Sequence, residues 1–265
     1  LGVAYGMAIS VIAVFLSQRG FKETEIGTLA AWFAAGIMAA AIPSGWLVAR
    51  LSAKVVLVVA LLAYATTVSL FPFVSSYESI AALRFFDGAA SVCVWVASET
   101  ILLARAQRKI KAFVTSLYAM SIAIGYITGP VLAWAAAPVL PIERVFLVAG
   151  GLSLLTALYV LLKLDRGSDA HREEGDELDG HATLAEGSGP QARATLLSLI
   201  NRIKTSCFAT FAYGYFQASV VLFLPLFLVA AKGVGKDETR LIPAFFAGGM
   251  LLFTNAAGRL GDRFG

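Results

Sequence analysis

Charge is what this chain has least of. Asp, Glu, Lys and Arg make up 14% of its 265 residues, well short of the roughly 25% usual in soluble domains. Only two cysteines (Cys93 and Cys207) and two histidines (His171 and His181) are present. Both cysteines sit inside apolar runs, which argues for small helix residues rather than a disulfide framework or a metal site. No Walker-type phosphate loop, no Ser/His/Asp grouping and no Cys/His ligand set occurs, so ATP-driven pumping and enzyme chemistry lack a carrier and no cofactor is expected. Basic, aromatic-interleaved surfaces for nucleic acid are missing too.

What is there is apolar. Hydrophobic residues reach 58% and the mean hydropathy is +0.78, so the solvent of most of the surface is expected to be lipid. A hydrocarbon core of about 30 Å needs about 20 apolar residues per helical crossing, and eight runs approach that length: 1–17, 27–48, 55–74, 80–103, 112–137, 145–164, 206–231 and 241–257. Their continuity argues against a membrane barrel, whose strands alternate over ten or so residues. Helices satisfy their own backbone hydrogen bonds in lipid. The chain is therefore read as an all-α integral membrane protein.

Lys and Arg divide unevenly between alternate loops. Of 21 basic residues, fourteen, among them Arg50, Lys54, Arg105 and Arg263, lie on one side; six, including Arg19, Lys22 and Arg240, lie on the other, and Arg84 lies within a span. The positive-inside rule places the richer side in the cytoplasm. Localisation in the cytoplasmic (inner) membrane follows, with the N-terminus and the 165–203 linker cytoplasmic.

Residues 165–195 break the apolar pattern with eight acidic side chains from Asp165 to Glu186 and both histidines. That composition cannot bury enough apolar area to fold alone. It reads as a solvated linker rather than a metal site, and 195–204 has the alternation of a helix lying along the membrane face. The organisation expected is 1–164 as a six-helix bundle, 165–203 as an acidic linker, and 204–265 as the first two helices of a second bundle. Leu1 begins inside an apolar stretch and Gly265 directly follows one, so eight of twelve helices are expected.

Duplication supports that layout. The turn Gly258, Leu260, Asp262, Arg263, Gly265 is matched 213 residues upstream by Gly45, Leu47 and Arg50, with Ala49 in place of the acid and Ser52 in place of the second glycine. At the same offset Ala31, Phe33, Ala34 and Gly36 fall on Ala244, Phe246, Ala247 and Gly249. Glycine allows close helix approach, a carboxylate can meet a helix N-terminus or a basic side chain, and arginine anchors the turn.

These residues resemble the major facilitator superfamily, whose loops after helices two and eight carry a similar Gly-x-Leu-x-Asp-Arg-x-Gly-Arg pattern. The resemblance implies a two-bundle transporter working by alternating access, with Gly45, Arg50, Gly258, Asp262 and Arg263 in gating. Helix four contains Arg84, Asp87 and Gly88 in an arrangement similar to a second signature of the family. Three residues are nearly one helical turn, so Arg84 and Asp87 share a face and can neutralise each other; an ionisable pair inside a membrane is a functional candidate by default. Asp87 is the expected proton acceptor and Arg84 its partner. Glu99 falls on nearly the same face near the cytoplasmic end, where contact with Arg50 or with the basic loop from Arg105 to Lys111 would make it a gating residue.

Gly125, Gly129 and Pro130 in helix five are similar to the Gly-x-x-x-Gly-Pro signature of the family's antiporter branches. Spacing by four gives a small-residue stripe for close packing, joined by Gly88 in helix four, and Pro130 removes a backbone hydrogen bond. Tyr5, Tyr213 and Gln217 are implied as cavity residues because helices one and seven line the family's central cavity. The expected function is drug/proton antiporter-like: proton-coupled efflux of small amphipathic molecules by a monomer in the lipid bilayer. The alternatives are a proton symporter for a sugar or organic acid and, from a different class, a membrane sensor or assembly subunit that moves nothing.

Overall fold

The computed structural model describes residues 1–106, 111–164, 211–249 and 251–253, with Lys204 and Phe208, and among them the secondary structure is helical, with turns and short loops between the helices. The acidic segment 165–203, Cys207 and the turn holding Gly258, Asp262 and Arg263 lie outside the described residues. Helices α1 (Gly2–Gln18), α2 (Glu23–Leu51), α3 (Ala53–Leu70), α4 (Tyr77–Arg105), α5 (Lys111–Ala135) and α6 (Ile142–Lys163) follow in order. Then comes α7, Phe211–Lys232. A 3-10 turn, Glu238–Leu241, leads into an eighth helix, α8, described over 242–249 and 251–253. Among the described residues six helices are long and apolar enough to cross a membrane, and α1 is a shorter apolar one.

Local chemistry sets the helix ends. The Glu25 carboxylate accepts the Lys22 N–H at 2.8 Å and closes the start of α2, while Ser76 Oγ accepts the Ser79 N–H at 3.2 Å at the start of α4. The break between α2 and α3 is a single residue, Ser52, with φ at 92°. That backbone region suits glycine and strains any side chain. It is the position at which the upstream copy of the repeated turn has serine where Gly265 stands in the later one. Pro225 cannot supply its N–H, and the π-helical stretch Ser219–Phe223 ends two residues before it in α7.

Packing is decided by where backbones can approach. The helices pair as α2 with α4, α1 with α5, and α3 with both α4 and α6. At the α2/α4 crossing a Cβ on Gly36 would overlap the Phe85 carbonyl oxygen, and one on Gly88 would overlap that of Phe33. At the α1/α5 crossing a Cβ on Gly125 would stand 2.6 Å from the Gly2 carbonyl carbon, and one on Gly6 would stand 2.9 Å from the Gly125 carbonyl oxygen. In lipid, where apolar burial gives little net drive between helices, such close approach is a main source of association. The result places α1 centrally, with Val11, Phe15 and Leu16 fully buried, while α2 turns Met38 and Ile42 outward.

The ends of the bundle differ. Arg50, Lys54 and Arg105 mark a basic end, where Lys54 Nζ donates to the Leu161 carbonyl at 2.9 Å and to that of Leu164. At the opposite end Arg19 donates to the Val74 carbonyl at 2.5 Å, and to that of Pro72, with its guanidinium 4.3 Å from the Phe15 ring centroid.

Candidate functional site

In its first half, α4 carries two charged side chains into the interior. At 1.5 Å per residue, Arg84 and Asp87 lie about 10 and 15 Å along the helix from Tyr77. Arg84 Nη1 stands 2.5 Å from Asp87 Oδ2, and the side chains are 14% and 10% exposed. Such burial is tolerable for either charge only because the other is present.

The pair is incompletely satisfied. Asp87 Oδ1 has no hydrogen-bond partner, nor has Ser91 Oγ one turn further along α4, and both are buried. For Arg84 the Asp87 contact is the only hydrogen bond among the described residues, so four of its five N–H donors are uncommitted. Its guanidinium plane instead covers the Phe33 ring of α2, 4.3 Å from the centroid. Both charged groups line a narrow cavity of about 30 Å³ with Tyr5, Tyr64, Thr67 and Phe146, room for about two water molecules.

Aromatic rings form the wall toward α5. Tyr5 is the hub: its ring centroid is 5.3 Å from that of Tyr126, 6.2 Å from Tyr64, and 6.3 Å from both Phe33 and Trp95. Tyr213 of α7 lies within electrostatic reach of Tyr126 and is 42% exposed; its ring is 6.3 Å from Phe246. Gln217, one turn on, is half-buried. Of the three cavity residues expected from sequence, Tyr5 therefore touches the charged pair's surroundings, while Tyr213 and Gln217 stand on the neighbouring helix.

The expected gating residues are scattered. Gly45 faces open space, since a Cβ there would meet nothing within 4 Å. Arg50 is exposed with its guanidinium 4.4 Å from the Trp46 ring centroid. Glu99 is exposed near Tyr118 and forms no ion pair with Arg50 or Arg105 among the described residues.

The opposite end holds a contact that sequence reading missed. Arg240, in the turn before the eighth helix, is 6% exposed. Its Nη1 donates to the Ala133 carbonyl oxygen at 2.8 Å, and its Nη2 lies 2.7 Å from Asp237 Oδ1. Burial lowers the proton affinity of this guanidinium, and Asp237 offsets that only in part. Ala133 belongs to the last turn of α5, where carbonyls lack intrahelical partners and the helix dipole favours a cation. The link ties the α7–α8 turn to α5. In sequence Arg240 is one loop charge among several, and nothing local distinguishes it.

Solved structures share this arrangement of helices. A bacterial homolog of the human lysosomal transporter Spinster matches in an inward-facing, occupied conformation with a TM-score of 0.71, 17% identity, and coverage of 99% of this chain and 59% of the other. Its inward-facing, unoccupied conformation matches with a TM-score of 0.73 and 15% identity, covering 99% and 60%. The chain thus spans about three fifths of the length of those structures, and at such identities the likeness is one of fold. No curated protein sequence matches. The family model described as the Major Facilitator Superfamily matches residues 1–265, and the chain belongs to that superfamily.

Proposed function

We propose that this chain is the greater part of a secondary active transporter, in which alternating access around the cavity beside α1 and α4 carries small amphipathic molecules across the membrane in step with protons. The observation that carries the reading is the buried Arg84/Asp87 pair with its unpartnered Oδ1. A carboxylate with one free oxygen facing a cavity can take up a proton and release its arginine. The half-buried Tyr5 and Trp95 rings suit the apolar part of such a molecule. The same residues give a sensor or assembly subunit no evident use for a buried ion pair.

Two signs of coupling are open to such a site. Efflux in exchange for protons rests on the Gly125, Gly129 and Pro130 segment, which here packs α5 against α1. Cotransport with an acidic solute rests on the pair itself, because Asp87 is already held by Arg84 and so offers little to a cationic drug. The test is transport by the full-length protein in vesicles under an imposed proton gradient, compared with Asp87→Asn. Gradient-driven movement that disappears in the variant is expected. No movement of any compound in either direction would return the protein to the sensor class.

A further inference from the structure

We propose that the groove between the start of α3 and the end of α6 holds one anionic phospholipid, with its phosphate on the Lys54 ammonium and one acyl chain laid between the two helices. The groove has a volume of about 470 Å³, within the roughly 300–1,000 Å³ of small-molecule sites. Lys54 is its one polar side chain, and Val55, Val59, Leu161 and Leu162 make its walls. It shares no lining residue with the Arg84/Asp87 cavity. The walls continue along the bundle as an uncovered apolar track, where Leu62 of α3 and Leu154 and Leu158 of α6 are 42–52% exposed. At 1.5 Å per residue the run from Leu154 to Leu162 is about 12 Å long, most of the ~15 Å depth of one leaflet's hydrocarbon.

Charge selects the headgroup. Lys54 Nζ donates to the Leu161 and Leu164 carbonyls in the last turn of α6, which leaves one of its three N–H donors for a ligand. No carboxylate among the described residues pairs with it. Arg50 and Lys163, in the last turns of α2 and α6, add two more cations at the same end. The one described carboxylate near that end, Glu99 of α4, lies beside Tyr118 of α5 instead. By the positive-inside rule this end meets the cytoplasmic leaflet, whose lipids carry net negative charge. A phosphate there neutralises the ammonium without uncapping α6. A zwitterionic headgroup would bring a further cation to a site already holding three, and a soluble phosphate would leave the apolar walls uncovered.

The deciding experiment is native mass spectrometry of the purified full-length protein, with dioleoyl phosphatidylglycerol or dioleoyl phosphatidylcholine added to the detergent. One phosphatidylglycerol is expected to be retained per protein, at least about fivefold more tightly than phosphatidylcholine, which is the worth of one lysine toward an anionic surface. Lys54→Gln should abolish that preference. Val59→Trp, which fills the groove and leaves every charge in place, should remove the retained lipid. Lys54→Gln also uncaps α6; if it does not fold, Val59→Trp, at a position 60% exposed, decides alone. Equal retention of the two lipids would overturn the proposal. So would phosphatidylglycerol retention unchanged in either variant, or its displacement by an equal concentration of glycerol phosphate, which would make the site one for a soluble anion.

Discussion

Replacing Arg240 with alanine removes the one described side-chain hydrogen bond that ties the α7–α8 turn to α5. The Ala133 carbonyl it leaves behind is fully buried at a helix C-terminus, so the loss is that of a charge-assisted bond to a group with no substitute partner. Such bonds contribute about 1.5–3 kcal/mol net, which is roughly a 10- to 150-fold shift toward conformations in which this end is open. The assay uses a cysteine at Thr239, a position 1% exposed, in a protein lacking Cys93 and Cys207. Its reaction rate with a membrane-impermeant maleimide follows the open fraction when opening is fast. Arg240→Ala should raise that rate by the factor above. Arg240→Lys should fall between, because one ammonium lacks the fork that reaches Ala133 and Asp237 together. Equal rates in all three proteins would refute the latch.

Ser52→Gly should stabilise the protein: relief of a strained φ is worth about 1–3 kcal/mol, against a few tenths for the lost Ser52 cap on Val55. A rise in melting temperature of detergent-solubilised protein checks it. Gly36→Val and Gly88→Val should each cost about 3 kcal/mol or more by forcing α2 and α4 apart, whereas Gly45→Ala, which meets open space, should leave expression and melting unchanged. Asp87→Asn should flatten the pH dependence of transport while leaving the protein in the membrane; a profile identical to wild type would remove Asp87 from the coupling step.

Hydropathy and loop charge made the helices legible because in lipid the backbone has few other options, and α3, α4 and α6 fall close to their apolar runs. Spacing alone put Arg84 and Asp87 on one face, since three residues nearly complete a turn. The acidic segment announced itself by composition. Other features depend on which helices meet. Gly36 and Gly45 look equivalent in the sequence, both belonging to the repeated stretch, yet only Gly36 lies at a crossing where a Cβ cannot fit. Tyr64, Tyr126, Phe33 and Trp95 read as ordinary membrane aromatics until α1, α2, α3, α4 and α5 bring them around Tyr5.

By itself, then, the sequence determined that the chain spans a membrane, that it carries a repeated turn, and that one ionisable pair sits within a span. Each of these is written in residues a few positions apart or in composition, where helical periodicity and transfer free energy act locally. The tertiary structure decided which donors of Arg84 remain uncommitted, which oxygen of Asp87 has no partner, and that Arg240 reaches across to Ala133. Those facts depend on contacts between residues as much as 107 apart, and no local periodicity encodes them.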